Sequence, residues 1–219
     1  MRNIRPVRII FAVLAVLGVV LAVLAHFEPR FPGDLPVTLL FQSIHSQPLL
    51  SAMKGISYVT GDWRGAVIAI VGGIIFWRTL GRLEGIALIF SGAISALNGV
   101  FKIVIGRPRP EADLVNVFVA ETGKSFPSGH VFWAVVVPGM MAYLIIIHQT
   151  KSYLKVLTAS VFIVFILWIG ASRIYLGVHW MSDVIGGYII GSLFLALEIW
   201  LYRQLKLRLV HSGHNPDKE

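Results

Sequence analysis

The sequence contains no cysteine, which excludes disulfide bonds and thiolate metal sites but leaves the compartment open. Acids are scarce as well, with 11 Asp and Glu against 19 Lys and Arg, for a formal net charge of +8. Charged residues of both signs make up only 14% of the 219 residues, where a soluble domain carries about 25%. Hydrophobic residues make up 56%, and the mean hydropathy is +0.77. A bilayer rather than water is the main solvent of such a chain. The surplus basic residues flank apolar runs instead of lining a polar surface, so nucleic acid is not the implied partner. Linker-like tracts, low-complexity segments and internal repeats are all missing. The simplest organisation is a single integral-membrane domain over residues 1–219.

A membrane-spanning helix takes roughly 20 mostly apolar residues. Six stretches approach that length, at about 7–27, 65–77, 83–105, 130–148, 155–176 and 183–202. The first contains Val23-Leu24-Ala25, a possible leader cleavage site, but its apolar core is longer than the usual 7–15 or so residues of a signal peptide. The segment 28–64 is different in kind. Pro29, Pro32, Gly33 and Pro36 make its first part irregular. Ser46-Gln47-Pro48 marks a helix start, and Leu49, Met53 and Ile56 follow at helical spacing. The expected fold is therefore all-α: a polytopic membrane protein with a six-transmembrane-helix bundle and a short amphipathic interfacial helix between helices 1 and 2. Segment 28–64 reads either as a structural connector or as the wall of a lateral entrance for a lipid.

With six spans, Arg2, Arg5, Arg8, Arg78, Arg82, Lys151, Lys155, Arg203, Lys206, Arg208 and Lys218 fall on the side of the termini. Arg30, Lys54, Arg64, Lys102, Arg107, Arg109, Lys124 and Arg173 fall on the other. The bias places both termini in the cytoplasm. The expected location is the plasma (inner) membrane.

Chemistry-bearing residues gather at the opposite, extracytoplasmic face. Lys102 ends the third span and Arg109 follows it; Ser128, Gly129 and His130 open the fourth; Arg173 closes the fifth; His179 and Asp183 open the sixth. Lys102, Arg109 and Arg173 bring three cations to the end of an apolar bundle, which is costly without a counter-charge. No acid is expected beside them, since Glu111, Asp113 and Glu121 lie in the loop. A bound anion is the natural partner, and arginine forks suit phosphate oxygens. Ser128-Gly129-His130 puts free N–H groups at a helix N-terminus, where an anion is favoured, although Ser128 also suits an ordinary N-cap. His179 and Asp183 are four apart and share a helix face. The carboxylate can orient the imidazole for nucleophilic attack or for metal ligation. The crowding of cations disfavours a divalent metal.

Together these residues resemble the type 2 phosphatidic acid phosphatase family, which includes bacterial phosphatidylglycerophosphate and undecaprenyl pyrophosphate phosphatases and shares its site with vanadium haloperoxidases. The first motif, Lys, six residues, Arg-Pro, reads Lys102-Ile-Val-Ile-Gly-Arg-Pro-Arg109-Pro110. The second is Pro127-Ser128-Gly129-His130. The third reads Ser172-Arg173-Ile-Tyr-Leu-Gly-Val-His179-Trp-Met-Ser-Asp183. The match covers roughly residues 83–202. The resemblance implies that His179 is a nucleophile forming a phosphohistidine, that Asp183 orients it, and that His130 is the general acid. It implies that Lys102, Arg109, Ser128, Gly129 and Arg173 bind the phosphate, that no metal or cofactor is needed, and that the partner is a phosphorylated lipid in the bilayer, with no obligate protein partner. Phosphatidylglycerophosphate, undecaprenyl pyrophosphate and phosphatidic acid all fit. A lipid phosphotransferase would use the same intermediate, and an anion or lipid transporter could carry the same cationic site.

Other residues are read as structural. His26, His45, His148, His211 and His214 are taken as interfacial or tail residues, and Trp63, Trp77, Trp180 and Trp200 as belt residues. Glu198 is expected to snorkel toward Arg203 and Asn98 to orient Lys102 or bond a neighbouring helix; Arg107 neighbours the first motif without being its named arginine, with head-group binding as its lesser reading. Ser91, Ser95 and Gly99, and Gly187 and Gly191, form small-residue packing faces.

Overall fold

The structure is a computed structural model that describes residues 5–211; Arg2, His214 and Lys218 lie outside the described residues. All regular structure in that range is helical: α1 Arg5–Phe27, α2 Asp34–Gln42, α3 Gln47–Thr60, α4 Asp62–Thr79, α5 Arg82–Ala96, α6 Asn98–Ile105, α7 Gly129–His148, α8 Ser152–Tyr175 and α9 Met181–His211.

Five segments are long and apolar enough to cross a membrane: Ile9–Phe27, Arg82–Ile105, Gly129–His148, Ser152–Tyr175 and Met181–His211. The pair α3–α4, bent by 66°, passes the same test together, which gives up to six spans. The rise of α4 is about 27 Å, close to the hydrocarbon thickness of about 30 Å. The expected six-span helical bundle is therefore present. The third span is interrupted, with α5 and α6 meeting at Leu97.

The segment between the first two spans departs from expectation. It holds two helices, where the sequence pointed to one. The Ser46 N-cap starts α3, its hydroxyl accepting from Leu49 N at 3.4 Å. The proline-rich part nonetheless forms α2. Pro36 sits in the first turn, where its missing N–H costs nothing, and Asp34 Oδ2 accepts from Phe31 N at 2.8 Å.

Helix α7 is the hub. Of its apolar window 61% is buried, against 11% for α8, and it packs on α5, α8 and α9. Its buried Val131, Ala134, Val137, Met140 and Leu144 join Leu88, Ile169, Ile174 and Val184 in one core cluster. The α7–α9 contact is close because α9 presents glycine there. A Cβ on Gly187 would lie 2.9 Å from Val131 Cβ and 3.1 Å from Ser128 O; one on Gly191 would lie 3.0 Å from Val135 Cβ. The expected packing role of these glycines is met. It brings the start of α7 beside the start of α9, where Ser128 N donates to Asp183 O at 3.0 Å.

Two residues read from sequence as interfacial lie inside. Glu198 is 2% exposed and accepts from Ser91 Oγ at 2.7 Å rather than reaching toward Arg203. Trp180 is also 2% exposed, whereas Trp63, Trp77 and Trp200 are exposed, as belt residues would be. Glu198 faces α5 across the bundle, a placement that helix spacing alone does not specify.

Substituting Gly187→Val forces the added methyls against Val131, at a cost of about 1–3 kcal/mol for overpacking. A lower thermal unfolding temperature in detergent is expected; an unchanged one contradicts the close α7–α9 contact.

Candidate active site

All eight residues singled out from the sequence lie at the end of the bundle where α6 and α8 finish and α7 and α9 begin. Lys102 lies in the last turn of α6, which closes on Gly106 in the left-handed conformation, φ +70. Lys102 and Gly129 are neighbours, since a Cβ on Gly129 would stand 3.9 Å from Lys102 Cε and 2.9 Å from Asn98 Nδ2. No side-chain hydrogen bond or ion pair among the described residues holds the Lys102 ammonium. Asn98 thus packs at Gly129 and does not bond Lys102. Ser128 sits at the N-cap position of α7, yet its hydroxyl makes no capping bond; this oxygen is buried without a partner, as is Nη2 of the fully buried Arg173. Buried polar atoms are rarely left unpaired in proteins, and these two belong to residues that the motifs assign to an anion.

An acid does stand among the cations, contrary to the sequence expectation. Glu121 Oε2 lies 3.0 Å from Arg109 Nη1, and Glu121 Oε1 lies 2.8 Å from Arg173 Nη1. The same carboxylate is 3.7 Å from His179 Nε2 and 3.9 Å from His130 Nδ1. Burial raises its pKa, but the imidazoles His179 and His130 and the guanidiniums Arg173 and Arg109 outweigh that and hold it at about 2. Arg109 also folds the loop around itself, donating to Thr122 O at 3.2 Å and Gly123 O at 3.1 Å. The sequence reading failed here because loop closure over a distance is invisible to local spacing.

His179 is fully buried between Arg109 and Ser125. The expected direct bond to Asp183 is absent: His179 Nδ1 is 3.6 Å from Asp183 Oδ2, beyond hydrogen-bond range. Ser125 bridges the gap, with its Oγ 2.5 Å from Asp183 Oδ2 and 3.3 Å from His179 Nδ1. The hydroxyl has one proton, which goes to the carboxylate, so His179 Nδ1–H must donate to Ser125 Oγ. On the other side, Arg109 Nη1 lies 3.2 Å from His179 Nε2; a guanidinium can only donate, so Nε2 must carry the lone pair. Both bonds select the same tautomer, with Nε2 facing Glu121. Burial, together with the charges of Arg109, Lys102 and Arg173 against that of Glu121, pushes His179 well below its ordinary pKa. The imidazole is neutral at pH 7.

Asp183 is held further by Trp180 N, at 2.9 Å from Oδ2, and by Arg107 Nη1, at 2.6 Å from Oδ1. Arg107 is fully buried and turned away from any head group, toward Asp183 and toward Asp34 Oδ2 at 2.8 Å. Its proximity to the first motif was legible in the sequence; its two acidic partners, far away in the chain, were not. Leaving such a buried charge without a partner would cost about 3–5 kcal/mol.

His130 Nε2 lies 3.3 Å from Ser57 O of α3. A carbonyl only accepts, so Nε2 carries a proton and Nδ1 points to Glu121. These groups open into a cavity of about 950 Å³ lined by Lys102, Arg109, Glu121, Gly129 and His130 and, from the α3–α4 pair, by Lys54, Ser57 and Arg64. Among the described residues, no group of three or more His, Asp or Glu side chains is disposed to hold a metal ion.

The sequence model of the PAP2 superfamily matches residues 84–207. The chain belongs to the PAP2 superfamily. It is 32% identical over 183 residues to phosphatidylglycerophosphatase B of Bacillus subtilis (strain 168), covering 81% of this chain and 87% of that one. It is 33% identical over 132 residues to an undecaprenyl-diphosphatase of Sulfolobus acidocaldarius, covering 58% and 59%. The crystal structure of a transmembrane PAP2-type phosphatidylglycerolphosphate phosphatase from Bacillus subtilis superposes with a TM-score of 0.74 at 29% identity, over 90% of this chain and 97% of that one. That of Aquifex aeolicus LpxE superposes at 0.60 over 78% and 97%, with 21% identity, a likeness of fold alone. The chain is a multi-pass membrane phosphatase of this superfamily.

Glu121 sits between the guanidiniums of Arg109 and Arg173, where it would compete with any bound anion. Glu121→Gln should therefore strengthen binding of orthovanadate by about tenfold, equivalent to removing roughly 1.4 kcal/mol of competition. Titration of vanadate against the purified protein checks this; weaker binding in the variant would show that Glu121 recruits the anion and does not compete with it.

Proposed function

We propose that the chain hydrolyses a lipid phosphate or pyrophosphate at the extracytoplasmic membrane face through a phosphohistidine on His179. The observation that carries this reading is the set of groups around the Glu121 carboxylate: two guanidiniums, His130 Nδ1 and the lone pair of His179 Nε2. A phosphoryl group seated there meets cations on its oxygens and a nucleophile at its phosphorus.

In the proposed sequence, Lys102, Arg109, Arg173, the Ser128 hydroxyl and the Gly129 amide bind the phosphate oxygens and stabilise charge in the transition state. His179 Nε2 attacks phosphorus and forms the P–N bond. The P–O bond to the lipid breaks, and protonated His130 delivers its Nδ1 proton to the leaving oxygen. Asp183, acting through Ser125, stabilises the positive charge that forms on His179. Water then attacks the phosphohistidine, gives its proton to His130 and releases phosphate. The cations supply the charge stabilisation, and the proposed steps use no metal.

The extracytoplasmic placement is supported by the distribution of Lys and Arg. Four of the basic residues on the site's side, Lys102, Arg107, Arg109 and Arg173, are taken up by the site, so the remaining bias toward the side of the termini is stronger than a simple tally suggests. Both termini are accordingly assigned to the cytoplasm. The cavity supports a lipid substrate, because it joins the site to the α3–α4 pair that flanks the bundle.

Phosphate release in detergent, measured against phosphatidylglycerophosphate, undecaprenyl pyrophosphate, phosphatidic acid and lipid A phosphates, tests the reading. Release of free phosphate with water as sole acceptor is expected; transfer to a second lipid points to a phosphotransferase. His179→Ala should abolish turnover in a folded protein, and full activity in that variant sinks the mechanism. Ser125→Ala leaves His179 Nδ1–H without its acceptor, so kcat should fall by about 10- to 100-fold. The rate should follow a bell-shaped pH profile. Because the His179 pKa is lowered, its neutral form persists into acid, and the acid limb of kcat/KM should lie below the ordinary histidine value of about 6.5. A flat profile across roughly pH 5 to 9 counts against two histidines in opposite protonation states.

A further inference from the structure

Asp34 lies upstream of the residues matched by the superfamily, on α2, yet it reaches the centre of the site. Its carboxylate is fully buried and accepts from Arg107 Nη2 at 2.8 Å, Ser182 N at 2.9 Å, Ser182 Oγ at 2.8 Å and Phe31 N at 2.8 Å. Arg107 is equally buried and divides its fork: Nη1 goes to Asp183 Oδ1 at 2.6 Å and to Ser182 Oγ at 2.7 Å, while Nη2 goes to Asp34. Its Nε donates to Glu28 O at 3.3 Å, and its guanidinium carbon lies 4.6 Å from the Phe31 ring centroid.

We propose that Asp34 is a positioning residue for the phosphatase reaction, acting through Arg107 to keep one oxygen of Asp183 available to Ser125 and His179. The proposal rests on His179 being the nucleophile. Its physical basis is a competition for the fork. A guanidinium facing a single carboxylate prefers to bind both oxygens in parallel. Arg107 alone with Asp183 would turn to do so, and Oδ2 would leave Ser125 Oγ and Trp180 N. With Asp34 holding Nη2, Arg107 reaches only Oδ1. Oδ2 then stays 2.5 Å from Ser125 Oγ, and Ser125 stays 3.3 Å from His179 Nδ1. Charge acts in the same direction. Two carboxylates share one guanidinium, so the cluster keeps a net negative charge behind His179 and favours the positive charge that develops on the imidazole. The N-terminal region thus completes a site whose motifs all lie downstream.

The test uses the full chain in detergent with phosphatidylglycerophosphate as the probe and His179→Ala as the control. Asp34→Asn keeps the shape and removes the charge. It is expected to lower kcat by about 10- to 100-fold with KM little changed, because no phosphate-binding group is touched. It should also shift the acid limb of kcat/KM to lower pH, since losing a negative charge disfavours the imidazolium. The other groups facing His179, namely Arg109, Glu121, Lys102, Arg173 and Asp183, are unaltered in this variant. Ser182→Ala provides a second reading that keeps every charge: it frees one edge of the clamp and should lower kcat less, again with KM little changed.

Wild-type kcat in both folded variants, with His179→Ala inactive, overturns the Asp34 proposal alone. A kcat loss in Asp34→Asn with an unmoved acid limb assigns Asp34 a merely structural role and overturns it too. Should Asp34→Asn fail to fold, the kcat of Ser182→Ala decides. Activity persisting in His179→Ala instead overturns the reading beneath the proposal.

Discussion

Cations buried at the end of an apolar bundle are tolerable only if anions face them, and this constraint organises the protein. Arg107 is satisfied permanently by Asp34 and Asp183, both fixed on helices. Arg109 and Arg173 are satisfied by Glu121, a carboxylate carried on a loop. The two arrangements differ in consequence. The helix-borne pair holds Arg107 fixed behind His179, whereas the loop-borne acid is the one that a phosphate would displace under the proposed function.

The bundle serves that site mainly through α7. Its close approach to α9 at Gly187 and Gly191 sets Ser128 over the start of α9 and ties the second motif to the third. From the other side α3 supplies the carbonyl that orients His130, and α2 supplies the carboxylate that orients Arg107. The two helices between the first two spans are thus more than a connector: each places a backbone or side-chain group against a residue of the motif-bearing core.

Much of this was legible in advance. The spans follow from hydropathy, since a bilayer enforces long apolar runs, and α3 follows from the Ser46 cap. Each motif residue falls at a span end, so its gathering at one face is a consequence of helix alternation. Other features were hidden for identifiable reasons. Pro36, read together with Pro29 and Pro32 as a mark of irregular chain, obscured α2, because proline breaks helix interiors but suits a first turn. Glu198 looked interfacial because its partner, Ser91, comes from another helix. Glu121 looked like a loop acid because local spacing does not report where a loop folds back.

His179 and Asp183 show the division most clearly. Their four-residue spacing put them on one helix face, and the motif order put both beside the cations; these are properties of chain geometry and need no tertiary contact. Whether they touch depends on distances of tenths of an ångström, set by packing across the bundle. The tertiary structure leaves them 3.6 Å apart and inserts Ser125 from a different motif region. The sequence alone determined that the motif residues gather at one end of the bundle, because helix length and alternation dictate it. Only the fold decided the order in which they hydrogen-bond, because that order depends on how separate helices and loops pack around one buried carboxylate.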